Sequence, residues 1–311
     1  MKLAGAVLPF LLVPAALAAP AAQQRQLNVV ASILPVYSLT TSVAGNAAQV
    51  ENLPAAGADA HDYQFTPRER RLLASADLIV VNGLQMEPWL QKALASAGSS
   101  RRVVECAAGL EEELLRQRPC LRDGGLSPAQ AKLGHTGGVS AAQPNPHIWL
   151  DPLLACHMVT NILLGLEKAD PANAATYASN AIACVARLHY LHEEIRRTLA
   201  PYKGSPIVTY HDAFPYFARR YDLNVVGVIE EVPEIDPSPK HLTALRLAIQ
   251  RSKVKVIFTE ARHSERLARQ LGRDLEISVA PLDPLERGAA WPGAYEAGMR
   301  NNLRVLERFL K

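Results

Sequence analysis

An α/β fold in two lobes, each with a mostly parallel sheet flanked by helices, is what this chain predicts. Three observations carry that expectation. Short β-branched apolar runs alternate with amphipathic segments, which implies right-handed βαβ units. The alternation occurs twice, once on each side of residue 170. Between the two series runs one uninterrupted helical pattern, with apolar Ala181, Val185, Leu188, Leu191 and Ile195 and no internal breaker, long enough to join two lobes. At 311 residues the chain can bury a core in each.

The elements follow in order. Lys2 and the apolar stretch Leu3 to Leu17, ending in Ala16-Leu17-Ala18, read as a signal peptide over residues 1–18. No cysteine follows the cleavage signal, so a periplasmic protein without a lipid anchor is expected. A first lobe is assigned to residues 27–169. Its strands are Leu27 to Ser32, Ala48 to Leu53, Asp77 to Gly83 and Arg102 to Glu105. Thr66-Pro67-Arg68-Glu69 is a capping box with proline at the first helical position. Residues 118–146, rich in Gly, Pro, Ser and Gln, read as a long loop. Asp151-Pro152 opens a helix, and the linking helix takes residues 170–201. In the second lobe, residues 202–311, the strands are Ser205 to Tyr210, Asn224 to Ile229, Val254 to Phe258 and Ser278 to Leu282.

Composition is that of an ordinary globular chain, 49% hydrophobic and 20% charged. The net charge of +3 gives no footprint for nucleic acid. The four cysteines are compatible with export. Cys156 and Cys184 are equidistant from residue 170, so a helix hairpin turning there would bring them level as a disulfide. Cys106 and Cys120 could then pair by default.

Four residues stand just past the ends of apolar runs: His61, His147, His211 and Asp283. Three imidazoles and a carboxylate suit a tetrahedral site for a divalent transition metal. They span more than two hundred residues, so the site would be a cleft built by several elements. In parallel sheets ligands bind beyond the carboxyl ends of strands, where His211 and Asp283 are expected. Glu260, also at a strand end, competes with Asp283 for the fourth position, and water is a third option. His157, His189, His192, His241 and His263 fall on helices and are assigned to solvent or packing, while His135 lies in the long loop.

Several segments, in order, resemble the metal-receptor proteins of bacterial ABC importers for zinc and manganese. They are the His61 loop running into Thr66-Pro67, Asn82-Gly83-Leu84 with Glu87-Pro88-Trp89-Leu90, and Pro146-His147-Ile148-Trp149-Leu150-Asp151-Pro152. His211-Asp212-Ala213-Phe214, Pro237-Ser238-Pro239-Lys240, Ile257-Phe258-Thr259-Glu260 and Leu282-Asp283-Pro284-Leu285 continue the series. The resemblance covers nearly all of the chain after the signal segment. It implies lobes joined by a rigid helix, with metal between them on His61, His147, His211 and Asp283. It also implies a monomer that is not an enzyme and that delivers its ion to the membrane subunits of an ABC permease. Manganese receptors of this kind tend to carry glutamate where this chain has His211, so Zn2+ is expected as the transported ion, with Mn2+ as the alternative. The chain lacks the His- and Asp-rich loop of many zinc receptors. Two other classes compete, a secreted zinc hydrolase and a zinc-stabilised adhesin. The hydrolase would need an open coordination position and a base, and no H-E-x-x-H helix is present.

Overall fold

The computed structural model describes residues 25–53, 65–96, 102–115, 143–230, 236–260 and 265–311. The expected signal peptide, His61, Cys120 and His135 lie outside the described residues.

Two four-stranded parallel sheets form the frame. The first contains β1 (Leu27–Ala31), β2 (Ala48–Asn52), β3 (Leu78–Val81) and β4 (Arg102–Glu105), in the order β2-β1-β3-β4. The second contains β5 (Pro206–Thr209), β6 (Asn224–Val228), β7 (Val256–Thr259) and β8 (Ser278–Pro281), in the order β6-β5-β7-β8. In each sheet the chain steps to one side of its first strand and then returns to the other. Each therefore has a topological switch point, between β1 and β3 and between β5 and β7, where connections leave in opposite directions and open a crevice.

Helices α1 (Leu34–Ala44), α2 (Pro67–Ser75) and α3 (Pro88–Ser96) accompany the first sheet. The capping box is formed as the sequence predicts: Thr66 and Glu69 close it, with Pro67 at the first helical position. The pair α4 (Pro152–Ala169) and α5 (Ala174–Leu199) folds back as a hairpin at Asp170-Pro171. Asp151 caps α4 through the Leu153 N–H at 2.9 Å. With 26 residues, α5 is roughly 40 Å long. Helices α6 (Pro215–Tyr221), α7 (Pro239–Ser252), α8 (Glu265–Leu275) and α9 (Ala294–Phe309) accompany the second sheet.

Strand alternation divides the core. Val29, Ala31, Leu78 and Val80 from the first sheet share one apolar cluster with Val256, Phe258 and Ala280 from the second, and Leu188, Leu191 and Ile195 of α5 run through it. The opposite faces bury separately: Val30, Ile79 and Val81 with Leu73 and Leu90, and Val208 and Ile257 with Leu245 and Ile249. One continuous interior thus spans both sheets, and the long helix is its central member.

The expected Cys156–Cys184 disulfide is not formed. The hairpin does bring the two together, as the spacing predicts, but both are free thiols, as is Cys106. The Cys184 sulfur takes a hydrogen bond from Ser42 of α1. Burial, reinforced by nearby Cys184, pushes the Cys156 thiol up to about 12. Among the described residues no helix is long and apolar enough to cross a membrane.

Candidate metal centre

The second switch point carries the site. His211 follows β5 by two residues, and Glu260 is the residue after β7, so the central strand pair places them side by side. The Nδ1 of His211 lies 2.5 Å from Glu260 Oε1. A carboxylate accepts only, so the proton of that contact sits on Nδ1, which leaves Nε2 aimed away from the sheet. Burial works against a charged His211, yet Glu260 and then Glu286 outweigh it and hold its pKa well above the usual imidazole range.

His147 arrives from the other direction. It precedes the 3-10 turn Ile148–Leu150 that leads into α4. Its Nδ1 donates to Asn145 Oδ1 at 2.8 Å, and its backbone N–H donates to the same oxygen at 3.0 Å. Nε2 of His147 consequently also points inward and meets Nε2 of His211 at 3.1 Å. Glu286 completes the group, with Oε1 2.9 Å from the His147 Nε2 and 3.4 Å from the His211 Nε2. All three side chains are buried.

Although His147 is expected with the first lobe, its segment is bolted chiefly to the second. Asn145 Nδ2 donates to the Asp212 carbonyl at 2.6 Å, and the Tyr216 hydroxyl donates to the Asn145 carbonyl at 2.7 Å. The Trp149 indole donates to the Pro284 carbonyl at 2.8 Å, and the Tyr295 hydroxyl donates to the Trp149 carbonyl at 2.6 Å. Arg220 donates to the Asp151 carboxylate at 2.8 Å. On the first-lobe side, Asn82 Nδ2 donates to the Pro146 carbonyl at 3.0 Å.

Of the four residues expected from sequence, the structure brings His147 and His211 together. His61 lies outside the described residues. The carboxylate set against the imidazoles is Glu286, not Asp283. Asp283 turns its Oδ1 to accept the Leu285 N–H at 2.8 Å, closing the turn that delivers Glu286. Burial, with Glu260 and Glu286 nearby, raises the Asp283 carboxyl above its usual range. Glu260, the alternative fourth ligand, supports His211 from behind. Two residues of this cluster were not read from the sequence, Glu286 and Asn145. Asp283-Pro284 is a turn signature, in which the aspartate is spent on its own backbone. The next carboxylate after that turn was the available signal for Glu286.

Residues 29–309 match the family described as zinc-uptake complex component A, periplasmic. The chain belongs to this family. It is 28% identical to the zinc-binding protein AdcA of Streptococcus pyogenes over 266 residues, 85% of this chain and 51% of that protein. It thus spans about half the length of that relative. It is 29% identical to the high-affinity zinc uptake system protein ZnuA of Bacillus subtilis over 262 residues, 84% of this chain and 79% of that one. Among solved structures it is similar to the solute-binding protein FpvC of Pseudomonas aeruginosa in complex with Mn2+. The TM-score is 0.78 at 26% identity, covering 92% of this chain and 98% of that chain. These relatives are described as zinc-binding, zinc-uptake or metal-bound solute-binding proteins, and FpvC shares the fold of this chain.

Proposed function

We propose that the protein captures a divalent zinc ion outside the cytoplasmic membrane and delivers it, as a monomer, to the membrane subunits of an ABC permease. The convergence of the two Nε2 atoms and the Glu286 oxygen carries this reading. Donors on a tetrahedral zinc with bonds of ~2.0–2.1 Å lie about 3.3 Å from one another. The three donor atoms here are 3.1, 2.9 and 3.4 Å apart. They are already spaced as three corners of such a site, with no rearrangement of the backbone. His61 supplies the fourth donor in this reading, which closes the shell and leaves no position for the water of a hydrolase.

Imidazoles with a single carboxylate favour zinc over the harder manganese ion. FpvC, a structural relative, has been solved with Mn2+ and with Ni2+, so the fold itself does not impose one metal. The test is metal content and affinity of the purified protein, by elemental analysis and chelator competition with zinc and manganese side by side. One tightly held zinc, lost in His211→Ala, is the expected result. Preference for manganese would overturn the metal assignment, and no tight metal of either kind would overturn the receptor reading.

A further inference from the structure

At the first switch point stands a carboxylate that the metal centre does not use. Glu87, buried, receives the Ser32 hydroxyl at 2.6 Å and the Asn82 N–H at 2.7 Å on Oε1, and the Gly83 N–H at 3.2 Å on Oε2. Ser32 follows β1 and Asn82 follows β3, so one side chain ties together the ends of the two central strands. The turn it grips is strained. Gly83, Leu84 and Gln85 have φ of 86°, 55° and 61°, three successive residues in the left-handed region, and two of them bear a Cβ. Such conformations persist where the surroundings over-determine them. Here the carboxylate holds two successive backbone N–H groups at the entry to the turn. From that turn the Asn82 side chain reaches the Pro146 carbonyl, one residue before His147.

We propose that Glu87 is a positioning residue for metal retention: its charge fixes the Asn82–Gly83 turn, and through Asn82 the first sheet's hold on the His147 segment. The inference rests on the receptor reading above. Charged acceptors bind N–H donors more strongly than neutral ones, so a neutral Glu87 loosens the turn without unfolding it. The Ser32 hydroxyl can reverse and accept from a protonated carboxyl, whereas the two backbone N–H groups cannot. Burial pushes Glu87 up to about 7, against the pull of its donors, so its charge changes within the neutral range. The titratable groups facing it are the Cys106 thiol at the end of β4, itself pushed well up by burial and by Glu87, and the Glu105 carboxylate beside Gly83.

The experiment is the rate of zinc loss from the loaded protein into excess chelator, between pH 6 and pH 8, for wild type and Glu87→Gln. The variant is expected to release zinc on the order of ten-fold faster at pH 8, with the ratio closing towards one at pH 6, where wild-type Glu87 is also neutral. A ratio of one throughout overturns the proposal, and a constant ratio above one would mean a structural role independent of charge and overturns it equally. Asn82→Ala should release zinc as fast as Glu87→Gln, with no further gain when the two are combined. If Glu87→Gln does not fold, Ser32→Ala takes its place. With one donor removed, the pH at which release accelerates should move upward, and an unmoved profile overturns the proposal. Failure of the wild type to hold zinc at all would instead sink the receptor reading.

Discussion

The two sheets share one strand order and therefore one kind of crevice, yet they fill it differently. At the β5/β7 switch point an imidazole stands in front of a carboxylate, His211 before Glu260, and its other nitrogen meets His147 and Glu286. At the β1/β3 switch point the carboxylate of Glu87 faces inward, onto a hydroxyl and two backbone N–H groups. Topology supplies the crevice in both cases, and side chains decide whether it serves a ligand or the scaffold. The second crevice presents an imidazole directly. The first holds the turn that reaches the residue before the other imidazole, His147. The two imidazoles inherit the asymmetry: His211 is backed by a carboxylate, His147 by the neutral amide of Asn145.

Removing a donor should break the comparison most severely. Glu286→Ala takes away the carboxylate common to both imidazoles, and its zinc affinity is expected to fall by more than about 100-fold, beyond the range of supporting groups. Chelator competition checks this. An affinity within a few-fold of wild type would exclude Glu286 from the shell. Glu260→Gln keeps the shape behind His211 and removes the charge. Its expected loss is about 10- to 100-fold in the same assay. A loss as large as that of Glu286→Ala would mean that Glu260 itself binds the ion.

The buried Glu87 carboxylate also makes stability depend on pH. Glu87 has an ordinary value of 4.5 and is pushed up to about 7 by burial. A folded-state pKa above the unfolded one means that the native protein binds the proton more tightly. The contribution is fully present below about pH 4.5 and is lost as pH rises through about 7. The ceiling is about 3 kcal/mol. Urea unfolding of the metal-free protein at pH 5 and pH 8 should therefore show a decline that Glu87→Gln flattens. Equal declines in both proteins would show that the buried charge is fully compensated by its donors.

Much of this arrangement was legible in the chain. Strand and helix order, the capping box at Thr66, the Asp151 cap and the hairpin at Asp170-Pro171 all follow from local chemistry, because each is satisfied within a few residues. His147 and His211, which the structure brings together, were singled out because each sits at an element end. That Glu286 rather than Asp283 faces them was not legible, because it depends on which way a turn closes. Nor was Asn145, whose amide bridges His147 and the backbone of Asp212 across 67 residues of sequence. Such a contact exists only once the His147 segment is docked on the second sheet. Asn145→Ala should lower zinc affinity by about ten-fold, less than Glu260→Gln, because a neutral acceptor polarises its imidazole less. An effect equal to that of Glu260→Gln would mean that orientation, not charge, is what both residues provide.

Asp283 gives the smallest expected effect and the sharpest discrimination. Its carboxylate closes a turn on the Leu285 N–H, worth about 0.5–1.5 kcal/mol. Its backbone is held independently by Asn302 of α9, whose Oδ1 accepts the Asp283 N–H at 2.9 Å and whose Nδ2 donates to the Asp283 carbonyl at 2.6 Å. With the backbone pinned at both polar groups, loss of the carboxylate leaves Glu286 close to its place. Asp283→Ala should therefore cost less than about ten-fold in zinc affinity and lower the unfolding free energy by about 1 kcal/mol. Were Asp283 a ligand, its removal would match that of Glu286 in the competition assay. Two equal losses would require the turn to reopen on metal binding, with the Leu285 N–H surrendered so that Asp283 can swing towards the imidazoles.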